Sequence, residues 1–346
     1  MLSKPTFVIV ALAALILFSV SLYSFTSTDS EPKKTSEISI GFYNVENLFD
    51  TMDDPNKDDD EFLPSSDREW NDERYAAKLE KLSTVISKLG PSLPVIVGLC
   101  EVENKAVVED LAKANALKKG EYEIVHYESG DERGIDVGLM YMKKKFNVTY
   151  SKPLYVALPD TERPTREILY VKGRVTKGPE LHVFVNHWPS RWGGQEESEF
   201  KRLSAAKTLR AAIDSVQATD PDAMILCMGD FNDYPDNKSL KEILNADSMN
   251  TSSLMVNLMN GLEKQERGSY NYKGEWGFLD QIIVSRSLTD NKNPDIVAGS
   301  TKPYFSEDMV YLNEKYGDIK TNRTYGGTEY FGGYSDHLPV YTLLSY

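Results

Sequence analysis

Apolar runs that stop abruptly on a polar side chain recur along this chain and limit what it can fold into. The clearest are "PVIVGLCE" (94–101) and "AMILCMGD" (223–230), apolar almost to their last residue. A strand that is apolar on both faces belongs in a sheet covered on both sides. Further strand-like runs occupy 38–44, 122–127, 136–142, 168–175, 181–187, 279–285 and 337–344. Helical spacing of apolar residues fills 72–89, ended by Gly90-Pro91, and 196–216, with shorter stretches after Asn104 and from Ser239 to Ala246. The runs 168–175 and 181–187, separated by "TKGPE", read as an antiparallel hairpin. This mixture predicts an α/β protein with mixed sheets and excludes a doubly wound nucleotide fold, since no glycine-rich phosphate loop is visible.

Residues 46–73 hold twelve acids against Lys57 and Arg68, which places −10 of the total −14 in one loop region. No general basic coat for nucleic acid exists, so a phosphate ligand must be drawn by a bound cation or a few placed arginines. After Lys4, the apolar run "TFVIVALAALILFSVSLYSF" predicts export, with cleaved signal and uncleaved membrane anchor both open. The expected location is therefore periplasmic, extracellular or membrane-anchored. Residues 1–35 are set apart as this segment and a short linker, and 36–346 are expected to form one domain. Cys100 and Cys227 lie inside apolar runs and read as buried free thiols.

The polar groups at the ends of the runs carry the chemistry. Asn44, Glu101, His187 and Asp230 end strands, Asn232 follows, and Asp280 and Asp336-His337 precede the last two, in a chain with four histidines. Singly, Asn44 reads as a turn cap and "GDFND" as a local turn. Together they form a set of hard oxygen donors and imidazoles at corresponding strand ends, where ligands gather. Carboxylates with an amide oxygen suit Mg²⁺ or Mn²⁺, with Ca²⁺ possible, and not zinc, and two histidines beside such an ion suggest phosphoryl chemistry. Asp54-Pro55-Asn56-Lys57-Asp58 alternates oxygen donors but lacks the glycine of a calcium loop.

"FYNVENL", "GLCEVEN", "FVNHWPSR", "MGDFND", "LDQIIVS" and "YSDHLPV", in that order, resemble the endonuclease/exonuclease/phosphatase superfamily. The resemblance implies a four-layer α/β sandwich, two mixed sheets packed face to face with helices outside. It implies that Asn44 and Glu101 lie at the metal, that Asp336 is a metal ligand or orients an imidazole, that Asp230 and Asn232 orient water and hold the scissile phosphate, and that Asp280 supports the metal region or a histidine. His337 would be the general base or phosphate-stabilising histidine, and His187 the general acid. Asp136 is a candidate to orient His187. Arg133, Arg166 and Arg191 are candidates to grip phosphate oxygens. Tyr270, Tyr272 and Trp276 are open to base stacking or to plain packing. The expected protein is a monomeric, metal-dependent hydrolase of phosphodiester bonds, most readily in nucleic acid. A phospholipid or inositol phosphate is the alternative substrate, and a catalytically inactive binding protein of the same fold the remaining reading. Asp336 and His337, neighbours in sequence, are expected to turn toward one site after Gly332-Gly333.

Overall fold

A computed structural model describes residues 36–159, 163–262 and 268–346, which form one compact unit. The expected signal or anchor segment lies outside the described residues. Two seven-stranded mixed sheets make the centre. The first contains β1 (Glu37–Leu48), β2 (Ile96–Val102), β3 (Tyr122–His126), β4 (Asp136–Met142) and the C-terminal strand Val340–Ser345. The second contains β5 (Phe146–Leu154), β6 (Ile168–Val175), β7 (Glu180–His187), β8 (Ile225–Asp230) and the strand Asp280–Ser285. β1 with β2 and β7 with β8 run parallel; β6 pairs antiparallel to β7, as the hairpin spacing predicts.

Side-chain alternation sorts the layers. Ile40, Phe42 and Leu139 of the first sheet meet Val183, Val185, Leu226, Met228 and Ile282 of the second in one buried core. Outside the first sheet, α1 (Asp72–Ile86) and α2 (Lys105–Lys113) bury Leu82, Ile86, Val108 and Leu111 against Tyr43, Val97 and Leu99. Outside the second, α3 (Gln195–Thr219) buries Ala205, Ala206, Leu209 and Ile213 against Phe184, Ile225 and Ile283. The result is the four-layer α/β sandwich. Cys100 packs in the inter-sheet core and Cys227 on the opposite face of its own sheet, both as free thiols.

Among the segments that differ from the sequence expectation, two bear on the site and the sheet edge. The last strand begins at Val340, and residues 337–339 stay irregular, His337 meeting Tyr270 through an isolated bridge. β5 was not expected, because "FNVTYSKPL" is largely exposed on a sheet edge and carries little apolar signal.

Candidate active site

The rows that fill the inter-sheet core continue, at one end, into polar residues. On β1, Ile38, Ile40 and Phe42 point inward, so Asn44 does too; on β7 and β8 the same parity aims His187 and Asp230 inward. His187 stands opposite Asp230, and Asp230 opposite Asp280, so three ionisable groups occupy one register row of the second sheet. Glu101 breaks parity. After the inward Cys100 it would face the helices, but a register shift between Cys100 and Val102 and a φ of 60° re-aim it.

The side chains meet across the two sheets. Asn44 Nδ2 donates to Glu101 Oε1 at 3.2 Å and to Asp230 Oδ2 at 3.1 Å. His187 Nε2 lies 3.8 Å from Glu101 Oε1 and 3.9 Å from Asp230 Oδ2. His337 Nε2 lies 3.8 Å from Asp230 Oδ2, while its Nδ1 pairs with Asp280 Oδ2 at 2.7 Å. Asp230, Asp280 and His337 form one of two groups among the described residues compact enough to hold a metal. Asn232 turns with a φ of 50°, its N–H donating to Asp230 Oδ1 and its Nδ2 to the Trp188 carbonyl.

Burial and charge set the protonation states. Burial raises Asp230 to about 6 against the pull of His337, and burial followed by the charge of Asp336 raises Glu101. Burial, with Arg166 and Arg133, holds the His187 imidazolium far below its ordinary range, so this ring is neutral. Burial would also depress His337, but the charges of Asp280 and Asp230 outweigh it and keep the ring protonated. One neutral and one charged imidazole therefore flank the same carboxylates.

Asp336 lies near enough for its charge to raise Glu101, and its Oδ2 accepts from Arg323 Nη2 at 3.2 Å. Sequence reasoning missed the support behind it. Glu46 accepts from Arg323 Nε and the Thr324 N–H, and the buried Lys78 Nζ donates to the Glu46 carbonyl and Thr324 Oγ1. Burial lowers Lys78 to about 8. Glu46 sits inside the quoted "FYNVENL", which was a usable signal; Lys78 on α1 and Arg323 in a loop carry none.

Other candidates have partners elsewhere. Arg166 is buried, its Nη groups donating to Asp131 Oδ2 and the Trp188 carbonyl. Arg191 donates to the Asn232 carbonyl, Asp233 and Asn237 and lies over the Tyr234 ring, so it braces the "GDFND" turn. Arg133 is 54% exposed, and its charge reaches Glu101 and His187. Asp136 does not orient His187: its Oδ2 faces His126 Nε2 at 3.0 Å, and His187 Nδ1 is buried without a hydrogen bond. Tyr270 packs its ring on His337 at 4.7 Å, Trp276 joins the outer core, and Tyr272 is exposed. Asp54 Oδ1 accepts from the N–H and Nδ2 of Asn56, and no compact ligand group forms in that loop among the described residues.

Two sheets in a four-layer sandwich, with acids and histidines at one end of their shared core, define a phosphoester-hydrolase scaffold. The sequence model of the endonuclease/exonuclease/phosphatase family matches residues 39–346, and the chain belongs to that family of phosphoesterases. A search of curated proteins returns no match. Similar solved structures include TDP2 of D. rerio complexed with a single-strand DNA product (TM-score 0.53, 18% identity, covering 89% of this chain and 99% of that one). Truncated TDP2 of Caenorhabditis elegans is similar (TM-score 0.53, 13% identity, covering 89% and 97%). So is a mannosyl-6-phosphatase of Bacteroides thetaiotaomicron (TM-score 0.52, 14% identity, covering 89% and 100%). At these identities the likeness is one of fold.

Proposed function

We propose that this chain is an exported, monomeric enzyme that hydrolyses phosphodiester bonds in nucleic acid with a bound Mg²⁺ or Mn²⁺. The observation that carries the reading is the convergence of two imidazoles on the same carboxylates, His187 Nε2 3.8 Å from Glu101 Oε1 and His337 Nε2 3.8 Å from Asp230 Oδ2. Asn44, Glu101 and Asp336 would hold the ion, with Asp230 and Asp280 adjoining. The donor set fits a hard cation: it is oxygen-rich, and burial pushes its carboxylates upward. When bound, such an ion polarises the phosphoryl group and offsets charge that develops on it. His187, neutral and with Nε2 facing the carboxylates, is suited to take a proton. His337, kept charged by Asp280, is suited to steady phosphoryl oxygens or to give a proton to the leaving oxygen. Steadying phosphoryl oxygens is one of the two roles the resemblance implies for His337, whereas the resemblance implies a general acid at His187. Asn232 and Arg133 are placed to position the phosphate. The DNA product held by the D. rerio structure supports nucleic acid as substrate.

A small phosphoester such as an inositol phosphate or a lipid headgroup is the second reading. It is favoured by one observation: Arg166 and Arg191 are committed to protein partners, which removes two candidate contacts to a phosphate backbone. The deciding experiment is a hydrolysis panel of plasmid DNA, RNA, sphingomyelin and inositol phosphates on chelated protein, with and without added Mg²⁺. Cleavage of DNA or RNA only with Mg²⁺ is the expected result. Turnover of lipid or inositol phosphate alone replaces the nuclease reading with the second one, and no turnover of any substrate removes catalysis. Export rests on the apolar run 6–25, and sequencing the mature N-terminus from soluble and membrane fractions tests it.

A further inference from the structure

A second group of ligand-capable side chains closes the base of the β3–β4 hairpin. His126 is the last residue of β3 and Asp136 the first of β4, so the intervening loop leaves and returns through this pair. His126 Nε2 stands 3.0 Å from Asp136 Oδ2, and His126 Nδ1 stands 3.9 Å from Glu128 Oε1. One ligand atom from each of the three lies within 4.8 Å of the others.

The alignment of the pair is informative. Asp136 is fully buried, and the His126 side chain is 3% exposed, yet neither His126 Nε2 nor Asp136 Oδ2 makes a hydrogen bond despite their closeness. A hydrogen-bonded pair would aim the N–H at the oxygen. The two atoms are close but misaligned for a hydrogen bond, an arrangement that a shared third partner would account for. A tetrahedral ion with bonds of about 2.1 Å to each spaces its ligands by about 3.4 Å, so the 3.0 Å pair needs to open only slightly to hold one. Asp136 is also braced, because its Oδ1 accepts the Ser129 N–H at 2.8 Å. Glu167 adds a buried Oε2 without a partner, its carboxyl raised by burial and by the charge of Asp136. The cation present, Lys57, lies 3.9 Å from Glu128 Oε2 and donates to the Ser129 carbonyl.

We propose that His126, Glu128 and Asp136 form a zinc-class divalent-metal site, separate from the catalytic carboxylates, which clamps the loop 127–135 and so sets the position of Arg133. An imidazole with carboxylates suits zinc, whereas magnesium prefers an all-oxygen, largely hydrated shell. The site reaches function through Arg133, whose charge is felt at Glu101 and His187. Zinc binding can be measured without turnover, so this inference and the proposed activity fail separately.

The test uses full-length, chelated protein carrying Glu101→Gln and Asp230→Asn, which disables the catalytic ligand set. Calorimetric titration with Zn²⁺ is expected to show one equivalent bound and Mg²⁺ no comparable binding. Adding His126→Gln is expected to weaken Zn²⁺ binding by roughly tenfold or more. Glu128→Gln, at a side chain 57% exposed, carries the same test if the histidine variant does not fold. Hydrogen exchange over 127–135 is expected to slow on zinc addition. The site is overturned if the background variant binds no zinc, or binds it equally well after both substitutions. The clamp is overturned if zinc binds and exchange of the loop is unchanged.

Discussion

His187 and His337 are both buried, and what separates them is company. Arg166 and Arg133 bear on the first, Asp280 and Asp230 on the second. His337→Ala is expected to lower kcat by roughly 10²–10⁴, measured on the best substrate of the panel. Asp280→Asn keeps the shape and removes the charge that holds His337 protonated, so the basic limb of the kcat profile moves to lower pH. His337 stabilises the fold fully below its unfolded value, and the contribution fades as pH rises through its raised folded value. Asp230 has the same sign from a different cause. Its folded value, about 6, lies above the unfolded one, so its stabilisation is complete below about 3.8 and is lost as pH rises through about 6. The ionised form is what a cation needs, so Mg²⁺ affinity is expected to fall between pH 7.5 and 5.5, read by calorimetry. The residues that end apolar runs were legible because a polar group there has no structural use. Lys78 and Arg323 were not legible, because their partners, Glu46 and Asp336, are fixed only once β1 and the C-terminal loops meet.

Elements place these groups through small departures from regularity. The bulge that turns Glu101 toward the site comes at the end of a long apolar strand, and the irregular stretch that carries His337 comes just before one. Alternation accounts for the way Asn44, His187 and Asp230 face once the core rows are known, but no sequence period announces a bulge. β7 and β8 come especially close beside the site. A Cβ on Gly229 would stand 2.4 Å from the Asn186 carbonyl oxygen, a backbone atom with no freedom to yield. Gly229→Ala is expected to cost about 1–3 kcal/mol in urea denaturation, and to reduce activity further by moving His187 away from Asp230. Edge strands were the weakest part of the sequence reading, since β5 is patterned by its one neighbour, β6, and by solvent.

At the scale of the molecule, strands apolar on both faces announced covered sheets, the four-layer arrangement was what the resemblance implied, and each helical layer has its own core to cover. The price of the site is a pocket of buried acids that repel one another at neutral pH. Removing the cation with a chelator is therefore expected to lower the melting temperature. Restoring Mg²⁺ at about a hundredfold over its Kd returns about 2.7 kcal/mol, checked by calorimetric scanning at pH 7.5. The effect is expected to vanish in Glu101→Gln with Asp230→Asn.

Asn44 donates one hydrogen bond to Glu101 on its own sheet and one to Asp230 on the facing sheet. That single amide makes turnover a gauge of how the two halves of the sandwich are registered. A slip of a few tenths of an ångström between the sheets breaks one of these bonds while every strand stays paired. Activity is therefore expected to disappear at denaturant concentrations where circular dichroism still reports an intact fold, an inactivated state that precedes unfolding.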